Sequence, residues 1–307
     1  MDTEYDFIVN PKARSGMGEM IWRMLEPELK KNRVAYHVHM TRRRGHAGKI
    51  AEALTSDGTG HTIVVLGGDG TVNETVNGIC FPEKTTLGYI PIGSSNDFAR
   101  GLGLPGDPKE ALAIILRPQK IIHMDIGVLS GRKSKRFLVS AGMGFDAAVC
   151  HEVCVSRLKV LLNKIGLGKL SYAAVALDRL IKDRPVRLTL TLPDGEMKVL
   201  DKTYFVAFMN LPYEGGGFKF SPEASPEDGL LDVVAAHGLS MPKILFLLPL
   251  AFGGKHVGFK GVSILRCASL KAEAETALPL HTDGEPGFLR KEIEVTVLEE
   301  KLNVIAG

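Results

Sequence analysis

Three glycines surround a single aspartate in Gly67-Gly68-Asp69-Gly70-Thr71, the stretch whose residues are best suited to chemistry. The run before it, His61 to Leu66, is apolar and β-branched, which predicts a buried parallel strand. Glycine lets the backbone turn sharply, and the Thr71 to Glu74 spacing of a capping box predicts the start of a helix. Such a strand, turn and helix N-terminus direct free N–H groups at one point, which favours phosphate binding.

Asp69 changes what this phosphate site would do. A carboxylate beside polyphosphate is repelled unless a cation or a transferring group lies between them. The residue therefore favours magnesium and phosphoryl transfer over passive anion binding, although a tight turn with a solvent-facing aspartate is the simpler alternative. A second loop, Gly93 to Asp97, repeats the capping-box spacing at Ser94 and predicts another helix N-terminus in the same region, or else an ordinary helix cap.

The surrounding pattern alternates short strands with helices over the first ~125 residues. Strands are predicted at Asp6 to Val9, Val34 to Met40, His61 to Leu66 and Leu87 to Ile92. The fold class is therefore a doubly wound α/β domain, in which ligands lie at the carboxyl ends of the parallel strands. The residues that fall at those ends are Asn10, Thr41, Gly67 to Thr71, and Ser94.

The pattern changes after Arg117-Pro118, and residues from Val128 to about Leu280 are rich in strands. Pro193-Asp194-Gly195 between two alternating runs predicts a β-hairpin. A helical stretch from Asp146 to Lys182 and a helix from about Pro242 to Phe252 interrupt these strands. We therefore expect a second, mainly antiparallel domain.

Composition excludes several classes of protein. A net charge of +3 is too small to indicate a nucleic-acid partner, and the four cysteines show no zinc or disulfide spacing, so we expect free thiols in a reducing cytoplasm. The acidic N-terminus lacks the apolar core of a signal peptide, and the longest apolar run is too short to span a bilayer. The protein is expected to be soluble or peripheral. Residues 155–172, with lysines among leucines, are a candidate membrane-docking patch, or else an ordinary amphipathic helix.

Four segments occur in an order that resembles the diacylglycerol kinase catalytic-domain family, which includes bacterial lipid kinases, sphingosine kinases and ceramide kinase. They are the GGDGT loop, Pro91 to Arg100, Glu227 to Asp232, and Thr282 to Glu285. The resemblance covers nearly the whole chain. It implies a nucleotide-binding α/β domain over residues 1–125, completed by about 288–307, and a β-sandwich-like lipid-substrate domain over 126–287. It also implies an ATP- and Mg²⁺-dependent lipid kinase that phosphorylates the hydroxyl of diacylglycerol or a similar lipid.

The resemblance assigns roles to individual residues. Glu285 matches the general base and would lie between the two domains, while Asp69 belongs to the catalytic set and Asp283 is structural. Asp97 and Asp228 belong to a magnesium network, in which the carbonyls of Ser225 and Leu230 are further ligands. Arg14 stands where the family commonly has glycine. The nucleotide-binding residues are Asn10, Thr41, Gly67, Gly68, Asp69, Gly70, Thr71, Val72, Asn73, Glu74 and Ser94.

Two other functions remain open at this point. An NAD kinase shares the glycine loop, but the later segments resemble lipid kinases more closely. A non-catalytic nucleotide sensor would keep the fold, although the intact Asp69, Asp97, Asp228 and Glu285 set speaks against it. The expected partner is a lipid at a membrane surface, which the protein contacts from the cytoplasm, and a homodimer is possible. The sequence does not identify the lipid.

Overall fold

The computed structural model describes residues 3–131, 133–155 and 184–307, and the chain divides into two compact units. The described part of the first unit comprises residues 3–126, Arg136–Leu138 and Leu298–Gly307. The second unit comprises the described residues of Gly127–Lys135 and Val139–Val297. β-strand Arg290–Val297 pairs within the second unit, so the return of the chain to the first unit begins at Leu298.

Residues 3–126 alternate strands and helices. The strands are β1 (Glu4–Val9), β2 (Ala35–Met40), β3 (His61–Gly67), β4 (Thr85–Pro91) and β5 (Ile121–Met124). The helices are α1 (Ala13–Gly16), α2 (Gly18–Lys31), α3 (His46–Thr55), α4 (Asp69–Gly78), α5 (Asp97–Leu102) and α6 (Pro108–Leu116).

The later elements are mostly strands. They are β6 (Gly127–Leu129), β7 (Lys135–Phe137), β8 (Ser140–Gly144), α7 (Phe145–Val155), β9 (Val186–Thr191), β10 (Met197–Met209), β11 (Leu231–His237) and α8 (Met241–Ala251), followed by β12 (Val262–Cys267), β13 (Ser269–Leu278), β14 (Leu280–Thr282), β15 (Glu285–Pro286), β16 (Arg290–Val297) and β17 (Leu302–Ile305).

The first unit contains a six-stranded sheet in the order β2-β1-β3-β4-β17-β5. Strands β1 to β4 and β17 pair in parallel, whereas β5 runs antiparallel to β17. Alternate residues of β1 and β3, such as Phe7 and Val64, pack in a cluster with Trp22 and Leu25 of α2, and the intervening Ile8 is fully buried too. Because side chains alternate between faces, both faces of these strands are covered, which explains their nearly continuous apolar sequence.

Two glycines bring α3 and α4 into backbone contact within the first unit. A Cβ added to Gly48 would lie 2.8 Å from the carbonyl oxygen of Glu74, and one added to Gly78 would lie 2.0 Å from the carbonyl oxygen of Gly48. Any larger residue at these two positions would push the helices apart. The helix that follows the glycine turn is therefore held against α3 by its own sequence.

The second unit is built on antiparallel pairing in the order β15-β14-β8-β10-β9-β13-β16-β6, with β11 pairing to β10 and β12 pairing to β11. The β9–β10 hairpin turns at Asp194 and Gly195, and Gly195 adopts the left-handed φ of 87° that this turn requires. The predicted fold class, an α/β domain followed by a mainly antiparallel domain, is confirmed. The predicted helical stretch Asp146 to Lys182 is described as α7 as far as Val155, and its remainder lies outside the described residues, as does the candidate docking patch of residues 155–172. No helix in the described parts of the chain is both long and apolar enough to cross a membrane.

Candidate functional site

The sheet order reverses between β1 and β3, and the predicted phosphate loop lies at this reversal. Asn10 follows the last residue of β1, and Gly68 follows the last residue of β3. The Asn10 amide donates a hydrogen bond to the Thr71 hydroxyl at 3.1 Å, and the Asn10 backbone N–H donates to Leu66 at 2.9 Å. In open parallel sheets such a reversal leaves a crevice at the carboxyl ends of the strands, where ligands bind.

The two glycine loops touch each other through their backbones. A Cβ on Gly68 would lie 3.1 Å from the Cα of Gly93, and a Cβ on Gly93 would lie 2.7 Å from the Cα of Gly68. Gly67 is equally confined, because its Cβ would lie 2.7 Å from the Thr71 side chain. Glycine is therefore required at all three positions for close approach, and the loops after β3 and β4 form one surface.

Asp69 and Asp97 lie close together on this surface. The Asp69 carboxylate accepts a hydrogen bond from the backbone N–H of Phe98 at 3.3 Å, so it faces the start of α5. Asp97 is 6% exposed and pairs with Arg100 at 2.9 Å. Burial, followed by the charges of Asp69 and Asp97, raises the pKa of the Tyr89 hydroxyl well above its usual value. Two carboxylates within reach of one buried tyrosine form a compact set of hard oxygen donors.

Both predicted capping boxes are wrong, although both helices exist. Helix α4 begins at Asp69 with Gly68 as its N-cap, so Thr71 already lies inside the first turn. The Glu74 carboxylate instead accepts hydrogen bonds from the backbone N–H groups of Gly45 at 2.7 Å and Ala47 at 3.3 Å, at the start of α3. Because the helix begins three residues earlier than the capping box requires, Glu74 lies beyond the first turn of α4 and instead binds the start of α3.

The second capping box fails for a different reason. The N-cap of α5 is Asn96, in the left-handed conformation with φ 51°, and its side chain makes no capping hydrogen bond to the helix. The Asn96 amide hydrogen-bonds back to Gly93, accepting from its N–H at 2.8 Å and donating to its carbonyl at 3.2 Å. Ser94 is exposed in the loop. The loop is therefore closed by Asn96, and Ser94 remains free to face a ligand.

The remaining predicted nucleotide residues of the first unit differ in what their side chains contact. Thr41 follows β2, and Gly70 lies in the first turn of α4. Val72 is 2% exposed, and the Asn73 amide, itself 5% exposed, donates to the backbone carbonyl of Arg136 at 3.1 Å. The side chains of Val72 and Asn73 therefore pack into the first unit, and their assignment to the nucleotide stays a prediction.

Arg14 adopts a conformation that favours glycine. Its φ and ψ are 50° and 51°, and the following Ser15 is also left-handed with φ 57°. A left-handed non-glycine residue costs on the order of 1–2 kcal/mol. The resemblance places glycine at this position, and the backbone of the first loop keeps the glycine geometry although the residue is arginine.

In the second unit, the predicted magnesium turn holds an ion pair. The Asp228 carboxylate accepts from the backbone N–H of Leu230 at 3.0 Å and also pairs with Arg266. The same guanidinium donates to Asp232 at 2.9 Å, and Asp232 accepts from Ser221 at 2.5 Å. Arg266 thus supplies positive charge where the sequence predicts a cation held by Ser225, Asp228 and Leu230.

Glu285 begins the short strand β15, opposite Thr282 of β14, and is partly buried. The neighbouring Asp283 is left-handed with φ 49°, and its carboxylate accepts from the backbone N–H groups of Val139 at 2.8 Å and Ser140 at 3.1 Å. Asp283 therefore fixes the turn between β14 and β15, and Glu285 is the carboxylate that the turn presents.

Sequence reasoning missed a buried cluster beside this turn, formed by Asp146, Glu214 and His281. The Nε2 atom of His281 lies 3.1 Å from Asp146 and 3.1 Å from Glu214, and all three residues are buried. Nδ1 of His281 lies 3.3 Å from the backbone nitrogen of Gly284, the residue before Glu285. The signal was available in part: Asp146 is the lone charge in the run from Val139 to Val149, and His281 directly follows the apolar run from Ala277 to Leu280.

A glycine makes room for this cluster. Gly142 of β8 pairs with His281 of β14, and a Cβ at Gly142 would lie 1.9 Å from the Asp146 carboxylate and 2.3 Å from Nε2 of His281. Burial acts to lower the pKa of His281, but the negative charge of Glu214, then that of Cys150 and the Asp146 hydrogen bond, outweigh it and hold that pKa well above its usual value. Burial raises the pKa of Asp146. The ligand atoms of the three residues lie within 4.8 Å of one another, so the cluster could hold either a shared proton or a metal ion.

An apolar cavity of about 120 Å³ opens beside the cluster within the second unit. Asp146 and Glu214 reach its wall, and the rest of the lining is mainly apolar, from α7, β10, β11 and α8. Oε2 of Glu214 is buried without a hydrogen-bond partner among the described residues. Helix α7 also contacts β15, so the wall of the cavity adjoins the strand that carries Glu285. The residues that line the cavity include Phe145, Val149, Phe205, Phe218, Phe220, Ile244, Leu247 and Leu248.

Comparison with known proteins gives two family matches that together cover most of the chain. Residues 4–129 match the diacylglycerol kinase catalytic domain, and residues 139–306 match the YegS C-terminal NAD kinase beta sandwich-like domain. A probable YegS-like lipid kinase of Chromohalobacter salexigens is 33% identical over 257 residues, which are 82% of this chain and 78% of that protein. A diacylglycerol kinase of Bacillus subtilis is 30% identical over 246 residues, which are 79% of this chain and 75% of that protein.

Solved structures show the same fold. A crystal structure of a diacylglycerol kinase from Bacillus anthracis superimposes with a TM-score of 0.70 at 22% identity and covers 99% of this chain and 96% of its own. An NAD kinase from Archaeoglobus fulgidus in complex with ATP superimposes with a TM-score of 0.53 at 12% identity, covering 99% of this chain and 93% of its own. These two likenesses concern the fold.

Proposed function

This chain belongs to the diacylglycerol kinase catalytic-domain family of lipid kinases, and from that premise we propose that it transfers the γ-phosphoryl group of ATP, with Mg²⁺, to the hydroxyl of diacylglycerol or a similar lipid. The observation that carries the proposal is the convergence of Asn10, Gly68 and Gly93 at the sheet reversal of the first unit. Backbone N–H groups at a glycine turn and a helix N-terminus suit a triphosphate. The Thr71 hydroxyl, oriented by Asn10, stands at the same turn.

The carboxylates of this surface fit magnesium. Asp69 and Asp97 offer hard oxygen ligands, and neither would tolerate a triphosphate without a cation to offset the repulsion. Bound magnesium would neutralise charge on the phosphates. In the second unit, the resemblance assigns a magnesium ligand to Asp228, and because Asp228 pairs with Arg266, a cation at that turn must share the carboxylate with a guanidinium.

Glu285 is the proposed general base. A hydroxyl that attacks the γ-phosphorus loses its proton, and a carboxylate within hydrogen-bond reach is the acceptor that this step needs. The new bond joins the lipid oxygen to phosphorus, the bond from phosphorus to the β–γ bridging oxygen breaks, and ADP leaves. Asp283 supports this role indirectly, because its bonds to Val139 and Ser140 fix the turn from which Glu285 projects.

The cavity of the second unit supports a lipid acceptor. Its volume of about 120 Å³ is comparable with the ~150 Å³ of an engineered apolar cavity that binds benzene, so part of one acyl chain could enter. The wall formed by α7 adjoins the strand of Glu285, so a chain held there would carry its hydroxyl toward the proposed base. A purely polar acceptor such as NAD would have no use for such a cavity.

The experiment measures phosphate transfer from labelled ATP to diacylglycerol, phosphatidylglycerol, a sphingoid base, undecaprenol and NAD, each with magnesium. We expect labelled phosphatidic acid, and we expect Glu285→Gln to lower kcat by about 10²–10⁴ with little change in ATP affinity. The matched control is Glu275→Gln, an exposed glutamate on β13 of the same unit, which should leave kcat unchanged. Labelled NADP would replace the lipid assignment with an NAD kinase. ATP binding without any labelled product would indicate a nucleotide sensor.

A further inference from the structure

Helix α8 and the loop after it expose an unusual amount of apolar surface. Five side chains between residues 245 and 259 are 37–58% exposed, and we call them the α8 face: Leu245, Phe246, Phe252, Val257 and Phe259. The rings of Phe246 and Phe259 meet edge to face with centroids 6.1 Å apart, so the helix and the loop contribute to one surface. Exposed aromatic residues in such a group commonly mark an interaction site.

The opposite side of α8 is apolar as well. Leu247 and Ala251 are buried, and Ile244 and Leu248 line the cavity. Phe252 of the α8 face stacks on Phe218 of the cavity wall with centroids 4.0 Å apart. A helix that is apolar on all sides is normally buried on all sides. The outer side of α8 therefore calls for an apolar environment that the described residues of the second unit do not supply.

The sequence interval that contains the α8 face carries formal charge of one sign. No acidic residue occurs between Asp232 and Glu273, whereas Lys243, Lys255 and Lys260 all occur within that interval. Lys255 and Lys260 are exposed, and Lys243 donates a hydrogen bond to the backbone carbonyl of Lys260 at 2.5 Å, which ties the helix to the loop. Aromatic and leucine side chains ringed by lysines are the composition of surfaces that bind anionic membranes.

We propose that the α8 face docks the second unit on a bilayer that carries anionic phospholipid headgroups, with its aromatic side chains in the interface and the three lysines at the phosphates. The proposal rests on the lipid-kinase function above and adds where the protein meets the membrane. A second copy of the chain is a poorer occupant, because a two-fold interface brings the same patch against itself and would place lysines opposite lysines. On the membrane, α8 separates the bilayer from the cavity behind it, so one helix would serve both docking and lipid capture.

The test is flotation with vesicles of phosphatidylcholine alone or mixed with phosphatidylglycerol, in the absence of ATP. We expect binding to the anionic vesicles, a loss of about tenfold in partition coefficient for each of Phe246→Ser and Phe259→Ser, and a loss of about fivefold for each of Lys243→Ala, Lys255→Ala and Lys260→Ala. The lysine effects should diminish at high salt. Wild-type protein that stays off anionic vesicles, or variants that bind as the wild type does, would overturn the proposal.

Matched variants in the same unit control for general loss of apolar surface or charge. Met197 and Val199 of β10 are 63% and 56% exposed, so Met197→Ser with Val199→Ser removes a similar area away from α8. Lys133→Ala, Lys198→Ala and Lys291→Ala together remove two exposed lysines and one half-buried lysine, as the three lysine changes around α8 do. Both control sets should bind vesicles like the wild type. Equal losses in the controls would contradict docking through α8.

Two further measurements separate this proposal from its alternatives. A tryptophan placed by Phe246→Trp should be quenched by brominated lipid in anionic vesicles, whereas one placed by Val199→Trp should not; quenching of neither would reject insertion of the α8 face. If sedimentation shows a wild-type dimer that Phe246→Ser with Phe259→Ser converts to monomer, the face is an interface between copies instead. Vesicle binding is read without turnover, so a failure of the kinase assignment leaves it measurable. With a dispersed short-chain diacylglycerol, the α8 variants should keep wild-type kcat.

Discussion

Replacing His281 by alanine should destabilise the protein far more than the same replacement of a surface histidine that also pairs with a carboxylate. His281 is fully buried between two buried carboxylates, each 3.1 Å from its Nε2 atom. Removing one member of a buried ion pair leaves an uncompensated charge and typically costs about 3–5 kcal/mol of the free energy of unfolding. The matched control is His37→Ala, because His37 lies 2.8 Å from Glu4 but both side chains are more than 60% exposed, and exposed pairs contribute about 0–1 kcal/mol.

The stability that His281 contributes should depend on pH. The folded pKa of His281 is held well above the value of 6.5 that applies to the unfolded chain, so its contribution is complete below about pH 6.5 and is lost as pH rises through the folded pKa. Burial also raises the pKa of Asp146, so the stability of the fold likewise falls as the pH rises above the lower pKa of an unfolded aspartate. The wild type should therefore lose its lead over His281→Gln by up to ~1.4 kcal/mol per pH unit above about pH 6.5.

The assay is urea unfolding followed by far-ultraviolet circular dichroism at several pH values between about 6 and 9. Comparing His281→Ala with His281→Gln separates loss of the hydrogen-bond donor from loss of the titrating ring. Either of two results refutes the reasoning. One is a loss of unfolding free energy for His281→Ala no larger than that for His37→Ala; the other is a difference between wild type and His281→Gln that stays constant over this pH range.

Three further changes test other contacts. Gly68→Ala should lower the free energy of unfolding by about 1–3 kcal/mol and weaken ATP binding, because the added Cβ would lie 3.1 Å from the Cα of Gly93. Gly106→Ala, which has open space around it, should change neither quantity, and calorimetry with and without ATP measures both. Glu74→Ala should lower the free energy of unfolding by about 1–2 kcal/mol through the lost cap on α3, while the exposed control Glu52→Ala should not. The rise in melting temperature that ATP induces should stay unchanged, and an altered rise would favour a direct contact between Glu74 and the nucleotide. Arg266→Ala should lower the free energy of unfolding by about 1.5–3 kcal/mol, because Asp232 is only 3% exposed and loses a charged hydrogen bond. The control is Arg187→Ala, whose partner Asp201 is exposed, and equal thermal unfolding of the two variants would contradict the prediction.

The parallel strands and their loops were predictable because their signals are local. Runs such as His61 to Leu66 are apolar enough to require burial on both faces, and the glycine loops after β3 and β4 leave few alternatives there. This local pattern gave the positions of Asn10, Thr41, Gly68 and Ser94 after strands β1 to β4. The hairpin at Asp194 and Gly195 followed for the same reason.

The caps and the buried cluster depend on contacts that spacing does not encode. The Thr71 to Glu74 spacing fits a capping box, yet Glu74 reaches the start of α3 because Gly48 and Gly78 bring the two helices together. His281 and Asp146 are 135 residues apart and meet only through the pairing of β14 with β8. The ion pair of Arg266 with Asp228 likewise needs β12 beside β11. Such contacts follow from strand pairing between distant segments.

Strand β17 has a consequence for how the protein is made. It lies between β4 and β5, and its residues Leu302–Ile305 follow β5 by roughly 180 positions. At ~5–20 residues per second, a ribosome would need about 10–35 s to deliver β17 after β5. During that interval the nascent first sheet would present the open edge of β4, and the whole second unit would be synthesised before the edge is closed. An unpaired edge of this kind invites association with other chains. The segment Leu298–Gly307 thus closes the first sheet late in synthesis, and deleting it should first cause aggregation during synthesis.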